Sequence, residues 1–155
     1  MRVLIVEDDE NKSQQLDSFV REVVPDACIV VAKSYNSGLK EILSIHQDIV
    51  LLDMTLPTYD IGLSEEGGRP KHYGGRLILQ QMQRRFIETP VVVVTQFDVF
   101  GTGADKLTRE ELDTQLKKDH PSIYLGTVYY NAAVEGWKGQ LRRYLEKYRG
   151  ERKSK

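Results

Sequence analysis

Apolar positions along this 155-residue chain fall into two alternating periods. Val3-Leu4-Ile5-Val6 is a short β-branched run, the pattern of a buried strand. Leu16, Phe19, Val20, Val23 and Val24 then recur at i, i+3, i+4, i+7 and i+8, one face of an amphipathic helix that Pro25 stops. Cys28 to Ala32 reads as a second strand, and Ser34 is placed to cap a helix carrying Leu39, Ile42 and Leu43. Ile49 to Leu52 is a third strand, and Leu79, Met82 and Phe86 mark a third helix. Four consecutive valines, Val91 to Val94, suit a strand covered on both faces. Thr108 with Glu111 forms a capping box, and Leu107 and Leu112 stand at staple positions, so a fourth helix starts there. Ile123 to Tyr130 is a fifth strand; Val134, Trp137, Leu141, Tyr144, Leu145 and Tyr148 line a last helix.

Five strands alternating with five helices predict an α/β fold, a single doubly wound (βα)5 domain with a five-stranded parallel sheet and right-handed crossovers. Ligands in such sheets sit beyond the carboxyl ends of the strands, at the point where strand order reverses. Composition narrows the function. Lys and Arg number 22 against 23 Asp and Glu, a formal charge of −1, which argues against a direct nucleic-acid partner. Cys28 is the sole cysteine, so neither an intramolecular disulfide nor a cysteine-built zinc site is available. No apolar stretch approaches the ~20 residues that span a bilayer, and Met1-Arg2 leads straight into a strand. The expectation is a soluble, cytoplasmic domain without a membrane partner.

The strand ends carry the chemistry. Strand one runs into Glu7-Asp8-Asp9-Glu10, strand three into Asp53-Met54-Thr55-Leu56-Pro57, and strand four into Thr95-Gln96. With strands one and three adjacent, Glu7, Asp8 and Asp53 converge. Like charges held together raise one another's pKa, and a hard divalent ion such as Mg2+ removes that cost by taking carboxylates, a carbonyl and waters. Asp9 and Glu10 read differently, as solvated acids favouring the start of a helix.

These residues resemble the receiver domain of two-component response regulators, the CheY-like superfamily. The resemblance runs from Arg2 to about Tyr148 and is strongest over Val3-Leu4-Ile5-Val6-Glu7-Asp8-Asp9 and Asp48-Ile49-Val50-Leu51-Leu52-Asp53-Met54-Thr55-Leu56-Pro57. It implies a flavodoxin-like fold with Asp53 as phosphoacceptor. It further implies that Glu7 and Asp8 hold Mg2+ with the Asp53 carboxylate and the Thr55 backbone carbonyl, and that the Thr95 hydroxyl turns toward the phosphoryl group. A histidine kinase or phosphotransfer protein would be the donor. The output would pass through a protein partner the sequence does not name, and a homodimer is compatible with this. Catalysis would extend no further than the domain's own aspartyl phosphorylation and dephosphorylation. The receiver would occupy residues 1–148, with an insertion at about 58–74, and 149–155 would be a basic flexible tail.

The resemblance departs in several places. Receivers usually carry Lys-Pro after strand five, its ammonium pairing with the phosphoryl group; here Gly126-Thr127-Val128-Tyr129-Tyr130-Asn131 has neither, and Tyr130 falls near the lysine position. Tyr129 is a candidate for the aromatic that partners the Thr95 switch, and Gln96 stands where a small residue is usual. The insertion carries Arg69, Lys71 and His72 and five glycines within or just after it, so it could act as a flap bringing a cation to Asp53. Lys106, in the segment from Phe97 to Lys106, is a second substitute. Two further readings compete: a degenerate receiver acting as a phosphorylation-independent protein-binding module, and another flavodoxin-like or Toprim-like domain. Glu7 to Glu10 would repel a flavin phosphate, and a Toprim Asp-x-Asp fails at Thr55. His46, His72 and His120 lack ligand spacing and read as surface or capping residues. Cys28 reads as a small buried strand residue and Trp137 as core.

Overall fold

The computed structural model describes residues 1–60, 74–101 and 103–153. Its main sheet has five parallel strands: β1 (Arg2–Val6), β2 (Cys28–Ala32), β3 (Ile49–Leu52), β4 (Val91–Thr95) and, after a small hairpin, β7 (Tyr124–Tyr129). The order is β2-β1-β3-β4-β7, so the direction of winding reverses between β1 and β3. The helices are α1 (Glu10–Val23), α2 (Tyr35–Ser44), α3 (Gly74–Arg84), α4 (Arg109–Asp119) and α5 (Gly136–Lys153). The doubly wound flavodoxin-like fold expected from the pattern is the one observed.

Strand periodicity splits the core into two layers. Leu4, Val6, Val50, Leu52, Val91 and Val93 face α2, α3 and α4, meeting Ile42, Ile78, Leu79, Met82, Leu112 and Leu116. Val3, Ile5, Ile49, Leu51, Val92, Val94 and Val128 face α1 and α5, meeting Leu16, Phe19, Val20, Trp137, Leu141 and Leu145. Apart from half-buried Arg2 at the start of β1, the three inner strands are buried throughout, which is why they read as unbroken apolar runs. Trp137 is core as expected, edge-on to Phe19 with centroids 5.3 Å apart.

Local chemistry sets the helix starts. Asp9 caps α1 by accepting from the Lys12 N–H. Ser34 and Ser37 form a capping box on α2, and Thr108 and Glu111 form the expected one on α4. One side-chain expectation needs correction. Cys28 is exposed, because β2 is an edge strand and Cys28 begins it. His120 takes the capping role expected of it: it is the C-cap of α4, buried, with its ring bonded to Gln83 of α3. Between β4 and α4, β5 (Val99–Phe100) pairs antiparallel with β6 (Leu107–Thr108) around a 3-10 turn at Gly103–Asp105. Helix α5 continues to Lys153, into the stretch expected to be a flexible tail. Among the described residues no helix is long and apolar enough to cross a membrane.

Candidate functional site

Register alone brings the acids together. Val6 of β1 pairs with Leu52 of β3, so the next residues, Glu7 and Asp53, leave adjacent strands side by side at the carboxyl edge. Backbone bonds hold both in line: Glu7 N–H donates to Ala32 O at 2.9 Å, and Asp53 N–H to Val6 O at 3.0 Å. Glu7, Asp8 and Asp53 each offer a carboxylate oxygen, and these oxygens lie within 4.8 Å of one another. Glu7 and Asp53 are buried and Asp8 is exposed, so the cluster opens to solvent on one side. Thr55 stands half-buried two residues beyond Asp53.

The turn carrying Asp53 is pinned from below. Gly75, in the first turn of α3, donates its N–H to Met54 O at 2.9 Å, and a Cβ at Gly75 would collide with the Asp53 carbonyl and Met54. Only glycine permits that approach. Met54 N–H in turn donates to Asp53 Oδ1 at 3.0 Å.

One residue in this site escaped the sequence reading: Lys12. Its side chain is 1% exposed, and its Nζ is paired with Glu7 Oε1, lies 3.4 Å from Asp53 Oδ1 and donates to Val94 O at 2.8 Å. The signal was present. Lys12 stands four residues before Leu16, on the apolar stripe of α1 and not on its solvated face. Beside it Tyr130, the residue near the missing lysine's position, is buried, its ring centroid 5.8 Å from the Lys12 Nζ and 5.0 Å from Trp137.

Electrostatics follow from this burial. Desolvation, then the neighbouring Asp53 charge, pushes Glu7 up to about 8 against the opposing pull of Lys12. Burial, helped by Asp8, raises Asp53 as well, while Lys12 and the Met54 N–H oppose it. Burial alone would lower Lys12, but Asp53 and Glu7 outweigh it and hold the ammonium charged.

Thr95, at the tip of β4, is wholly buried, and its Oγ1 accepts from the Phe97 N–H at 3.1 Å. Its strand partner Tyr129 is half-buried under the Arg109 guanidinium, 4.2 Å from the ring centroid, and Arg109 also pairs with Asp98 at 3.3 Å. Gln96 and Lys106 are exposed. Residues 61–73, and with them Arg69, Lys71, His72 and most of the expected flap, lie outside the described residues. The insertion's first residues turn back over α2, with Asn36 N–H donating to Thr58 O at 3.1 Å and Ser37 Oγ to Asp60 at 2.7 Å.

No family model matches the chain. It is similar to the uncharacterized protein y4jR of Sinorhizobium fredii, 29% identical over 92% of this chain and 95% of that one. It is also 32% identical to the Detocs response regulatory protein DtcB of Enterobacter cloacae, over 91% of this chain and 95% of the relative. The chain belongs to the response regulator receiver family. Solved receiver domains share the fold at lower identity. A Francisella response regulator receiver domain matches with a TM-score of 0.64 at 19% identity, over 95% of this chain and 94% of that one. The response regulatory domain of mrkE from Klebsiella pneumoniae matches with a TM-score of 0.65 at 16% identity over the full length of both. Within this receiver, the ammonium beside the acid pocket comes from α1, and an aromatic ring fills the place next to the fifth sheet strand.

Proposed function

We propose that this receiver is a phosphorylation switch in a two-component phosphorelay, taking a phosphoryl group on Asp53 from a histidine kinase or phosphotransfer protein and signalling through a protein partner. The observation that carries this reading is the β1–β3 register, which gathers Glu7, Asp8 and Asp53 at the carboxyl edge of the sheet. The donor set is all oxygen, two buried carboxylates and one exposed, and it fits Mg2+: Glu7, Asp8, Asp53 and the Thr55 carbonyl would hold the ion. Bound there, Mg2+ supplies charge neutralisation for the incoming phosphoryl group.

The chain's own groups do the rest. Lys12 and the Met54 N–H both contact Asp53 Oδ1, which leaves Oδ2 to attack phosphorus. As the Oδ2–P bond forms, the P–O bond of acetyl phosphate or the P–N bond of a phosphohistidine breaks, and the leaving group takes the electron pair. The new acyl phosphate adds charge beside Thr95. The Thr95 hydroxyl then exchanges the Phe97 N–H for a phosphoryl oxygen, loosening the turn that joins β4 to the β5–β6 hairpin and to Arg109.

Incubation with acetyl phosphate and Mg2+ yields a hydroxylamine-labile adduct by intact mass, absent in Asp53→Asn. If neither acetyl phosphate nor the cognate kinase gives an adduct, the reading fails in favour of a phosphate-independent binding module.

A further inference from the structure

We infer that Lys12, from α1, is the ammonium of this phosphorylation site: it holds the Glu7 and Asp53 carboxylates together and pairs with the phosphoryl oxygens during transfer. The inference rests on the phosphorylation reading for its second half and on geometry alone for its first.

The Lys12 ammonium faces inward, donating to the Val94 carbonyl at 2.8 Å and forming ion pairs with Glu7 and with Asp53 Oδ1 at 3.4 Å. A charge that is 1% exposed is tolerated only where its partners are charged or strongly polar. The contacts span three elements, the tips of β1, β3 and β4, so the ammonium sits at their meeting point and not against one of them. It enters from the face of the sheet that carries α1 and α5. Tyr130 lies on that same face and fills the space next to β7 with a ring backed by Trp137. A lysine stem from that position would need the volume the ring now takes. Lys12 brings the charge to Asp53 from the first turn of α1.

Charge counting gives the role its consequence. Once Glu7 has released its proton to make room for Mg2+, three ionised carboxylates less one ammonium leave two negative charges, which the ion would cancel. Acyl phosphate formation replaces one carboxylate charge by about −2, which leaves one net negative charge with Lys12 in place and two without it. During attack the ammonium transfers no proton; it remains charged and hydrogen-bonded as the donor's bond to phosphorus breaks. Lys12 also shares Glu7 and Asp53 with the metal, so it weakens Mg2+ binding while favouring phosphoryl transfer. A residue that only braced the fold would do neither.

The test compares the full chain with Lys12→Met and Lys12→Arg, by Mg2+ calorimetry, thermal unfolding with and without Mg2+, and adduct formation from acetyl phosphate. In Lys12→Met, Mg2+ binds about tenfold more tightly and raises the unfolding temperature more than in the parent, as removing a neighbouring positive charge requires. Its adduct forms at least about tenfold more slowly at saturating Mg2+, as expected for one lost charge-assisted contact. Lys12→Arg keeps Mg2+ affinity close to the parent and recovers part of the adduct rate. If Lys12→Met folds only with metal, the Mg2+ concentration that restores the fold becomes the readout, and no restoration overturns the inference. Parental Mg2+ affinity in a folded Lys12→Met overturns it too, and tighter Mg2+ with an unchanged adduct rate overturns the pairing with phosphoryl oxygens. Absence of adduct in the parent itself sinks the phosphorylation reading instead, leaving the Mg2+ comparison to decide whether Lys12 is the pocket's cation.

Discussion

At the residue scale, Glu7 is where burial and charge conflict most. Its carboxyl is buried beside Asp53, and desolvation lifts it to about 8 from the ordinary 4.5 in spite of Lys12. Between those two values the folded chain holds a proton that the unfolded chain has released. The folded state binds more protons, so stability falls as pH rises across that window. The expected outcome is a metal-free protein whose denaturant midpoint declines from about pH 5 to pH 8. Glu7→Gln cannot ionise and flattens that decline. The same proton must leave when Mg2+ binds, so calorimetry at pH 7 in buffers of different ionisation enthalpy shows proton release in the parent and little in Glu7→Gln. A parent whose midpoint rises over this range would show that Glu7 is ionised throughout.

At the element scale, the end of α3 carries an avoidable strain. Phe86 has φ +57° and a side chain 90% exposed, while Ile87 N–H reaches back to Met82 O at 2.9 Å to close the helix. A left-handed residue after a helix is ordinarily Gly or Asn, because a Cβ meets the following carbonyl there. Phe86→Asn keeps the turn, loses almost no burial and is expected to raise stability by about 0.5–1 kcal/mol, measured as a shift in denaturant midpoint at constant slope. An unchanged or lower midpoint would show that the exposed ring packs usefully. The elements themselves were legible because their signals are local. Unbroken apolar runs marked β3 and β4, and Thr108 with Glu111 marked α4. The β5–β6 hairpin was not, since two-residue strands are too short to show a period. Phe86 looked like a member of the α3 stripe, and only the backbone shows it outside the helix. At the site, Glu7, Asp8 and Asp53 followed from strand adjacency, whereas Lys12 carried only the weaker signal of its place on the α1 stripe, which a lysine in a first turn ordinarily overrides by reading as solvated.

At the scale of the whole molecule, the acidic edge couples metal binding to global stability. β1 and β3 are central strands, and their tips present the carboxylates the ion would draw together. A ligand that binds only the folded state stabilises by about 2.7 kcal/mol at a hundredfold excess over its Kd. In a domain of this length each kcal/mol moves Tm by about 2–4 °C, so saturating Mg2+ is expected to raise Tm by roughly 5–10 °C. Asp8 is the ligand to remove, because it is exposed and its truncation opens no cavity. Asp8→Ala should keep or slightly raise the metal-free Tm, since one repelling charge is gone, and lose most of the Mg2+ increment. Scanning calorimetry with and without Mg2+ separates the two effects. An equal Mg2+ increment in parent and Asp8→Ala would place the ion away from the β1 tip and would leave the buried acids satisfied by Lys12 alone.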